Sequence, residues 1–272
     1  PSLNLKYNLN DKNSLRLGAS KTYTLPQAKE ISPYRYVGVN FNSQGNPNLK
    51  PSDHYNLDLK WDFNPTSTEL ISLTAFYKLI KNPISRIEVA SAGGYLSYEN
   101  IADKATVAGV EVEIRKNLFV RPVSNAAHGM NKLSLGLNGS YIYTNAKMPL
   151  ATVTTGSQLE GAAPWIVNFD LSHNFTKGER SFVNTLVLNY VSDKIYTIGT
   201  QGYQDMMEQG VLTLDFVSQA KLNKHLSLNL KARNLLNPSY KLSRKANENG
   251  EKVILNDYKK GINISLGVSC TF

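Results

Sequence analysis

The last twelve residues alternate strictly between apolar side chains and polar or small ones. The apolar members are Ile262, Ile264, Leu266, Val268, Cys270 and Phe272. Successive side chains of a β-strand point to opposite faces, so this pattern predicts a strand with one apolar and one hydrated face. A helix would need a period near 3.6 instead, which the segment does not have.

The same period of two recurs along the chain and constrains the fold more than any other feature. It predicts an all-β fold of about eleven antiparallel strands. Besides the last strand, the alternating segments are 3–8, 15–20, 55–63, 71–79, 110–115, 133–143, 165–172, 180–196, 209–221 and 226–233. No apolar run approaches the roughly 18 to 20 residues of a membrane helix.

The connections between these strands alternate strictly between short and long. The short ones are 10–13, 64–67, 118–131, 176–179 and 222–224. The long ones are 24–50, 81–106, 146–163, 197–208 and 237–257. Tight turns at one rim and large loops at the other are typical of an outer-membrane β-barrel. The pattern therefore favours an antiparallel transmembrane barrel.

Aromatic residues at the strand ends support this interpretation. Trp61, Phe63, Phe175 and Phe272 end the apolar rows at one rim, and Trp165 lies toward the other, as two membrane girdles would require. The mean hydropathy of −0.31 is what a lipid face averaged with a wet face gives. A soluble β-sandwich binding module stays open as an alternative, because its strands also alternate.

No group of residues indicates catalysis. The four histidines are scattered, and the single cysteine can form neither an internal disulfide nor a zinc cluster. Glu111 and Glu113 lie on one strand face with Arg115 next in line, and we interpret them as charged groups of a hydrated lumen wall that could contact a ligand. The sequence predicts no enzyme, no metal and no cofactor.

The net charge of +9 raises nucleic acid as a partner, but the basic residues do not cluster with aromatics on one surface. Nucleic acid is therefore not expected. A basic outer rim could pair with lipopolysaccharide or steer an anionic ligand.

The long loops are where a rigid barrel would hold ligand-binding residues over the pore. The loop candidates combine planar apolar faces with hydrogen-bonding tips. They are Tyr34, Arg35, Tyr36, Tyr95, Tyr98, Tyr196 and Tyr203. Each could equally be a girdle or loop-packing residue.

Several segments, in their order and spacing, resemble the barrel of TonB-dependent outer-membrane receptors. The sequence is most similar in character to the receptors of Bacteroidetes. The segments are Gly-Asn-Pro-Asn-Leu-Lys-Pro at 45–51, Thr-Ala-Phe-Tyr-Lys at 74–78, Asn-Pro-Ile at 82–84, Tyr-Glu-Asn-Ile at 98–101, Gly-Val-Glu-Val-Glu at 109–113 and Lys-Ala-Arg-Asn-Leu-Leu-Asn at 231–237, with a terminal aromatic at 272.

The resemblance implies a 22-stranded barrel with a plugged lumen, of which residues 1–272 would form the C-terminal half. The plug, the TonB-contacting segment and the signal peptide would lie upstream. It also implies uptake of a scarce ligand (siderophore, glycan or peptide) into the periplasm with TonB-derived energy, in the outer membrane of a Gram-negative bacterium.

The partners implied are outer-membrane lipid and lipopolysaccharide, the N-terminal barrel half and plug, TonB, and a surface lipoprotein. A passive channel or a structural outer-membrane barrel is the rival interpretation.

Overall fold

The computed structural model describes residues 1–91, 94–123, 129–148, 158–246 and 250–271. In these ranges the strands are, in chain order, β1 (Ser2–Asn10), β2 (Asn13–Thr24), β3 (Arg35–Tyr36), β4 (Ser43–Gln44), β5 (Ser52–Phe63), β6 (Leu70–Lys81), β7 (Ile84–Val89), β8 (Tyr95–Asn100), β9 (Lys104–Pro122), β10 (Met130–Ala146), β11 (Trp165–Lys177), β12 (Arg180–Val191), β13 (Lys194–Thr197), β14 (Met206–Glu208), β15 (Val211–Lys221), β16 (Leu226–Arg233), β17 (Ser239–Lys245), β18 (Lys252–Lys259) and β19 (Asn263–Cys270).

One short helix, α1 (Ala28–Ile31), interrupts the first long connection. The Glu30 carboxylate accepts a hydrogen bond from the Gln27 backbone N–H at 2.8 Å, which satisfies a free donor at the helix start. No helix in the described ranges is long and apolar enough to cross a membrane.

Eleven strands form one antiparallel sheet, hereafter the wall. The order is β1-β2-β5-β6-β9-β10-β11-β12-β15-β16-β19, so strands adjacent in space follow one another in the chain. Each segment predicted as a strand contributes to the wall, which confirms the all-β prediction. Short turns alternate with long connections along the whole sheet.

The apolar side chains of the wall share one face, hereafter the outward row. Register places Leu17 opposite Leu59, Leu59 opposite Ala75, and Ala75 opposite Val110. The row continues through Tyr141 to Trp165. Leu17, Leu59 and Val110 are 40%, 51% and 44% exposed, so this face is not packed against a second sheet as in a β-sandwich.

The opposite face of the wall is lined by polar side chains bonded to one another across strands, hereafter the polar row. Asp62 lies 3.3 Å from the Arg16 guanidinium and 3.5 Å from the Lys60 ammonium group. Farther along the sheet, the Asn168 side chain donates to Asn138 and accepts from Asn189. These contacts give the polar side chains hydrogen-bond or ion-pair partners on their own face of the sheet.

Two predicted boundaries were wrong. Residues 118–131 were expected to be a connection, but β9 continues to Pro122 and β10 begins at Met130. A register shift opposite Leu133 and Ser134 breaks the alternation there, which hid the strand from a period-two pattern. The predicted strand 180–196 is two strands, because β12 leaves the wall at Val191 and β13 joins a different sheet.

The long connections also contain structure that the sequence did not predict. They form two four-stranded sheets, β3-β4-β8-β7 and β13-β14-β17-β18, which we call the loop cluster. A parallel bridge between Ile87 and Ile198 joins the sheets. These strands are only two to eight residues long, too short for a periodic pattern to stand out.

The most buried apolar residues lie in and beneath the loop cluster rather than along the wall strands' length. Ile87 and Ile198 are 4% and 1% exposed, and they pack with buried residues of β9, β10 and β13 and of the connecting loops. The remaining members of this core are Ile101, Ala102, Ala105, Ala146, Leu159 and Ile195. The loops are therefore held over the wall by a hydrophobic core of their own.

Strand β7 contacts two other long connections through ion pairs. Glu88 forms a largely buried ion pair with Arg244 of β17, whose side chain is 16% exposed. Arg86 lies 3.4 Å from the Glu160 carboxylate, and its backbone N–H donates to the same carboxylate. Contacts of this kind fix loops from distant parts of the chain relative to one another.

Gly109 is closely packed between neighbouring strands. A Cβ there would stand 2.5 Å from the Phe76 ring and collide with the Tyr141 carbonyl oxygen, whereas one at Gly139 on neighbouring β10 would meet nothing within 4 Å. Gly109→Ala should destabilise the wall by about 1–3 kcal/mol through overpacking, and Gly139→Ala should not. Thermal unfolding of the complete receptor in detergent measures both; equal midpoints would contradict the prediction.

Removing one partner of the Glu88–Arg244 pair should loosen the loop cluster. An unpaired, largely buried arginine costs about 3–5 kcal/mol, whereas an exposed pair contributes about 0–1 kcal/mol. Thr200 donates a hydrogen bond to the Glu88 carbonyl oxygen, and the Tyr203 ring contacts Arg244. Glu88→Ala should therefore speed proteolysis of residues 199–210 in the intact receptor. Glu179→Ala is the matched control, because Glu179 pairs with Lys224 at 3.0 Å with both side chains more than half exposed. Identical digestion of the two variants would refute the role given to Glu88.

Candidate ligand-binding site

A cavity of about 680 Å³ lies between the two sheets of the loop cluster. Its lining comes from α1, β4, β7, β8, β13, β14, β17 and β18, so every side of it depends on loop strands. Its charged and aromatic lining side chains are Lys29, Phe41, Arg86, Tyr98, Tyr196, Glu208, Tyr240, Lys241 and Tyr258. A volume of this size suits a small-molecule ligand.

Three cations and one carboxylate give the cavity a basic bias. Lys241 lies 3.7 Å from Asp257, and Glu208 lies 3.3 Å from Lys194. The Lys29 ammonium group is 5.4 Å from the centre of the Tyr36 ring. Two of the three lining cations, Arg86 and Lys241, are thus held in ion pairs, while Lys29 contacts an aromatic face.

Aromatic rings form two pairs on the cavity wall. The Phe41 and Tyr196 rings are 6.3 Å apart and tilted by 40°. The Tyr240 and Tyr258 rings are stacked 5.5 Å apart at 19°. Planar rings beside cations can hold a ligand that carries aromatic groups and negative charge.

Burial shifts the titration of two groups at the cavity. Burial raises the pKa of the Glu160 carboxyl, although its contacts with Arg86 oppose this. Burial also raises the pKa of Tyr98, with the positive charge of Arg86 again opposing it. Tyr98 lines the cavity, and its phenolic hydroxyl can donate a hydrogen bond to a ligand oxygen.

Of the loop residues predicted from the sequence, the structure brings Tyr98 and Tyr196 together in this cavity. Tyr95 lines a smaller cavity of about 370 Å³ next to it. Tyr34 is 76% exposed and Tyr36 is 40% exposed. Tyr203 is 39% exposed, and neither it nor Tyr34, Arg35 or Tyr36 lines the larger cavity.

Several of these predicted rings contact cations of the chain itself. The centre of the Tyr95 ring is 5.0 Å from the Arg35 guanidinium carbon. The corresponding distance from Tyr203 to Arg244 is 5.2 Å, and from Tyr196 to Arg86 it is 4.4 Å. These contacts show that the tyrosines pack against cations of the chain itself. A tyrosine therefore stays a candidate for ligand binding only where it also lines a cavity.

The predicted lumen residues lie at the other end of the wall. Arg115 pairs in register with Leu70, the first residue of β6 after a short turn, and Glu111 pairs with Thr74. Glu113 lies 2.7 Å from Arg115, so the two charges satisfy each other. The structure does not bring these three residues together with the loop tyrosines.

The predicted girdle residues occupy both ends of the wall. Trp61 and Phe63 stack with centres 6.2 Å apart, and Phe175 lies 6.4 Å from Phe182, all near short turns. Trp165, at the long-loop end, is 52% exposed and lies 4.6 Å from the Tyr141 ring. Phe272 lies outside the described residues. That these rings anchor the protein in a bilayer stays a prediction.

Sequence reasoning missed Lys29, Phe41, Arg86, Tyr240 and Tyr258 as lining residues. Tyr240 and Tyr258 are eighteen positions apart in sequence and meet because β17 pairs with β18 in that register. The segment Asp-Tyr-Lys-Lys at 257–260 gave no signal that distinguishes a cavity wall from a loop tip. Within the described ranges, no group of three or more histidine, cysteine or acidic side chains could hold a metal ion.

A curated relative is the iron-regulated outer membrane virulence protein of Vibrio cholerae serotype O1. It is 25% identical over 219 residues, which cover 77% of this chain and 31% of the relative. The chain thus spans about a third of the length of the curated relatives it matches.

Solved structures share the fold over the whole chain. The ferric enterobactin receptor PfeA of Pseudomonas aeruginosa aligns with a TM-score of 0.59 at 18% identity, with 40% of that chain covered. The ferric yersiniabactin uptake receptor FyuA of Yersinia pestis gives 0.63 at 16% identity and 37% coverage. The copper transporter OprC gives 0.65 at 14% identity and 39% coverage.

The family described as TonB dependent receptor-like, beta-barrel matches residues 1–235. Together with the outer-membrane relative, this match locates the chain in the outer membrane of a Gram-negative bacterium. The eleven-stranded wall with long loops at one end is part of such a barrel. The chain therefore belongs to the TonB-dependent receptor β-barrel family.

Proposed function

We propose that the chain is part of a receptor that takes up a scarce ligand across the outer membrane with TonB-derived energy. The observation that carries the proposal is the cavity of about 680 Å³ that the long loops build over a TonB-dependent receptor barrel wall. Loops held by a buried core can present a preformed site at the barrel mouth. The proposal is for a transporter and receptor rather than an enzyme.

Among a siderophore, a glycan and a peptide, we favour a ferric siderophore as the ligand. Three cations and two aromatic pairs line the cavity, and metal-chelating ligands with aromatic rings and negative charge fit that lining. The names of the ferric enterobactin and ferric yersiniabactin receptors support the same class. A glycan could stack on the paired tyrosines, but an uncharged glycan would bind less tightly because it would form no ion pairs with Lys29 and Arg86.

Residues 1–272 are proposed to be the C-terminal part of the barrel, with the plug outside them. β1 and β19 are the edge strands of the wall, and in lipid their unpaired backbone groups require partner strands. The N-terminal barrel half would supply those partners. TonB would then act through the plug, so that these residues contribute lumen wall, loops and lipid-facing surface.

The outward row is proposed to face outer-membrane lipid and lipopolysaccharide. Its exposed leucines, isoleucines and valines suit acyl chains, and the tyrosines toward the long-loop end suit the interface.

Energy dependence separates the receptor from a passive channel or a structural barrel. Cells that express the complete protein should accumulate labelled ferric siderophore, with ferric enterobactin and ferric yersiniabactin as the first probes. Deletion of TonB, or dissipation of the proton gradient by a protonophore, should abolish accumulation while surface binding persists. Equal accumulation with and without TonB would instead identify a passive channel.

Tyr258→Ala tests the cavity itself. Tyr258 lines the cavity and is 49% exposed, so its removal should cost one aromatic contact and raise the apparent KM of uptake about tenfold. The maximal rate should stay the same because energy coupling is elsewhere. Tyr34→Ala is the matched control, since Tyr34 is exposed and does not line the cavity. A larger effect at Tyr34 than at Tyr258 would place the site elsewhere in the loops.

A further inference from the structure

On β2, β5, β6 and β9, outward-row residues that lie side by side across the strands form a level. The levels change from apolar near the short turns to basic near the long loops. Near the turns, Phe63 lies opposite Ile71. The levels above are apolar as far as Leu57, which lies opposite Ala19 on β2 and Tyr77 on β6. This sequence of levels runs along about 20 Å of strand, which fits the apolar band of an outer-membrane barrel.

Lysines begin directly above the last apolar level. Lys21 lies opposite Tyr55, two residues beyond Leu57. Two residues farther, Lys81 of β6 lies directly opposite Lys104 of β9. These positions are about 7 and 14 Å along the strands from Leu57, and less than that along the membrane normal because barrel strands tilt. Headgroups begin at that depth.

Of these three lysines, hereafter the rim lysines, two contact the same tyrosine ring. The Lys21 and Lys81 ammonium groups are 5.4 Å and 5.3 Å from the centre of the Tyr55 ring. Lys104 extends the group by one strand and is exposed. Contact with the Tyr55 ring thus restricts the conformations of both lysine side chains and holds their ammonium groups near each other.

The rim lysines carry more positive charge than their surroundings neutralise. Among the residues that the structure describes, Asp53 is the carboxylate that forms an ion pair with them, 3.6 Å from Lys21. Lys81 and Lys104 face each other directly, an arrangement that destabilises a sheet unless an anion lies between the charges. Three cations against one carboxylate leave a net charge of about +2 at this rim.

Farther along the wall, the outward row ends in aromatic and aliphatic residues near the long loops. Tyr143 on β10, Trp165 on β11, Tyr190 on β12 and Leu212 on β15 occupy the long-loop end there, and all four are exposed. On β2, β5, β6 and β9, the rim lysines lie above an apolar surface of the same strands.

We propose that the rim lysines bind the phosphate groups of an anionic glycolipid in the outer leaflet. The apolar levels below them would contact its acyl chains, and Lys21, Lys81 and Lys104 would pair with its phosphates. This assignment rests on the proposed membrane orientation, in which the long loops are extracellular. It does not depend on which ligand the receptor transports.

The test uses the complete receptor purified in detergent and bisphosphorylated lipid A as the probe. A lysine near an anionic lipid surface contributes about fivefold to binding, so the triple variant Lys21→Gln, Lys81→Gln, Lys104→Gln should weaken lipid A binding about 100-fold. Lys78→Gln is the matched control, because Lys78 is on β6 but in the polar row. It should bind lipid A like the unaltered receptor.

Two further probes identify the source of the phosphate. Dephosphorylated lipid A should bind the unaltered receptor and the triple variant equally weakly, and inorganic phosphate at lipid A concentrations should not compete. Undiminished binding by the triple variant would overturn the proposal. So would tight binding of dephosphorylated lipid A, or displacement by inorganic phosphate.

If the triple variant does not fold, the three single glutamine variants replace it, each expected to lose about fivefold. Siderophore uptake is measured separately in cells. Loss of lipid A binding with uptake intact supports the lipid site alone. Absence of uptake in the unaltered receptor counts against the proposed transport without bearing on the rim lysines.

Discussion

A polypeptide that crosses lipid must pair its backbone N–H and C=O groups within the protein, because the bilayer core offers no water. In this chain the antiparallel ladder of eleven strands meets that requirement between β1 and β19. The same ladder sets which side chains lie on each face of the sheet. Because side chains alternate along each strand, one continuous register produces both the apolar outward row and the polar row behind it.

The long loops are stabilised by hydrophobic packing rather than by a single continuous sheet. At one end of the wall they fold around a buried core that includes Ile87 and Ile198. Ion pairs from Glu88 and Arg86 then connect loops far apart in sequence. A binding site built on such loops can be rigid, which lowers the entropy lost when a ligand binds.

Charge is distributed according to these two environments. On the polar row, acids and bases neutralise each other, as in the contacts of Asp62 with Arg16 and Lys60. In the cavity and at the rim, cations exceed carboxylates. Part of the excess positive charge behind the net charge of +9 therefore lies at the cavity and at the rim. These are the places where we propose that an anionic ligand and an anionic lipid headgroup bind.

The sequence by itself determined the wall: its period of two, its alternating short and long connections and its apolar face were all predicted. Local alternation suffices for this because a strand's two faces are decided by adjacent residues. The cavity was decided only by the tertiary structure. Tyr196 and Tyr258 come from different loops, and their meeting depends on pairing between strands far apart in sequence. The rim lysines were visible in the sequence as scattered charges, but only the tertiary structure placed Lys81 opposite Lys104 and beside the Tyr55 ring.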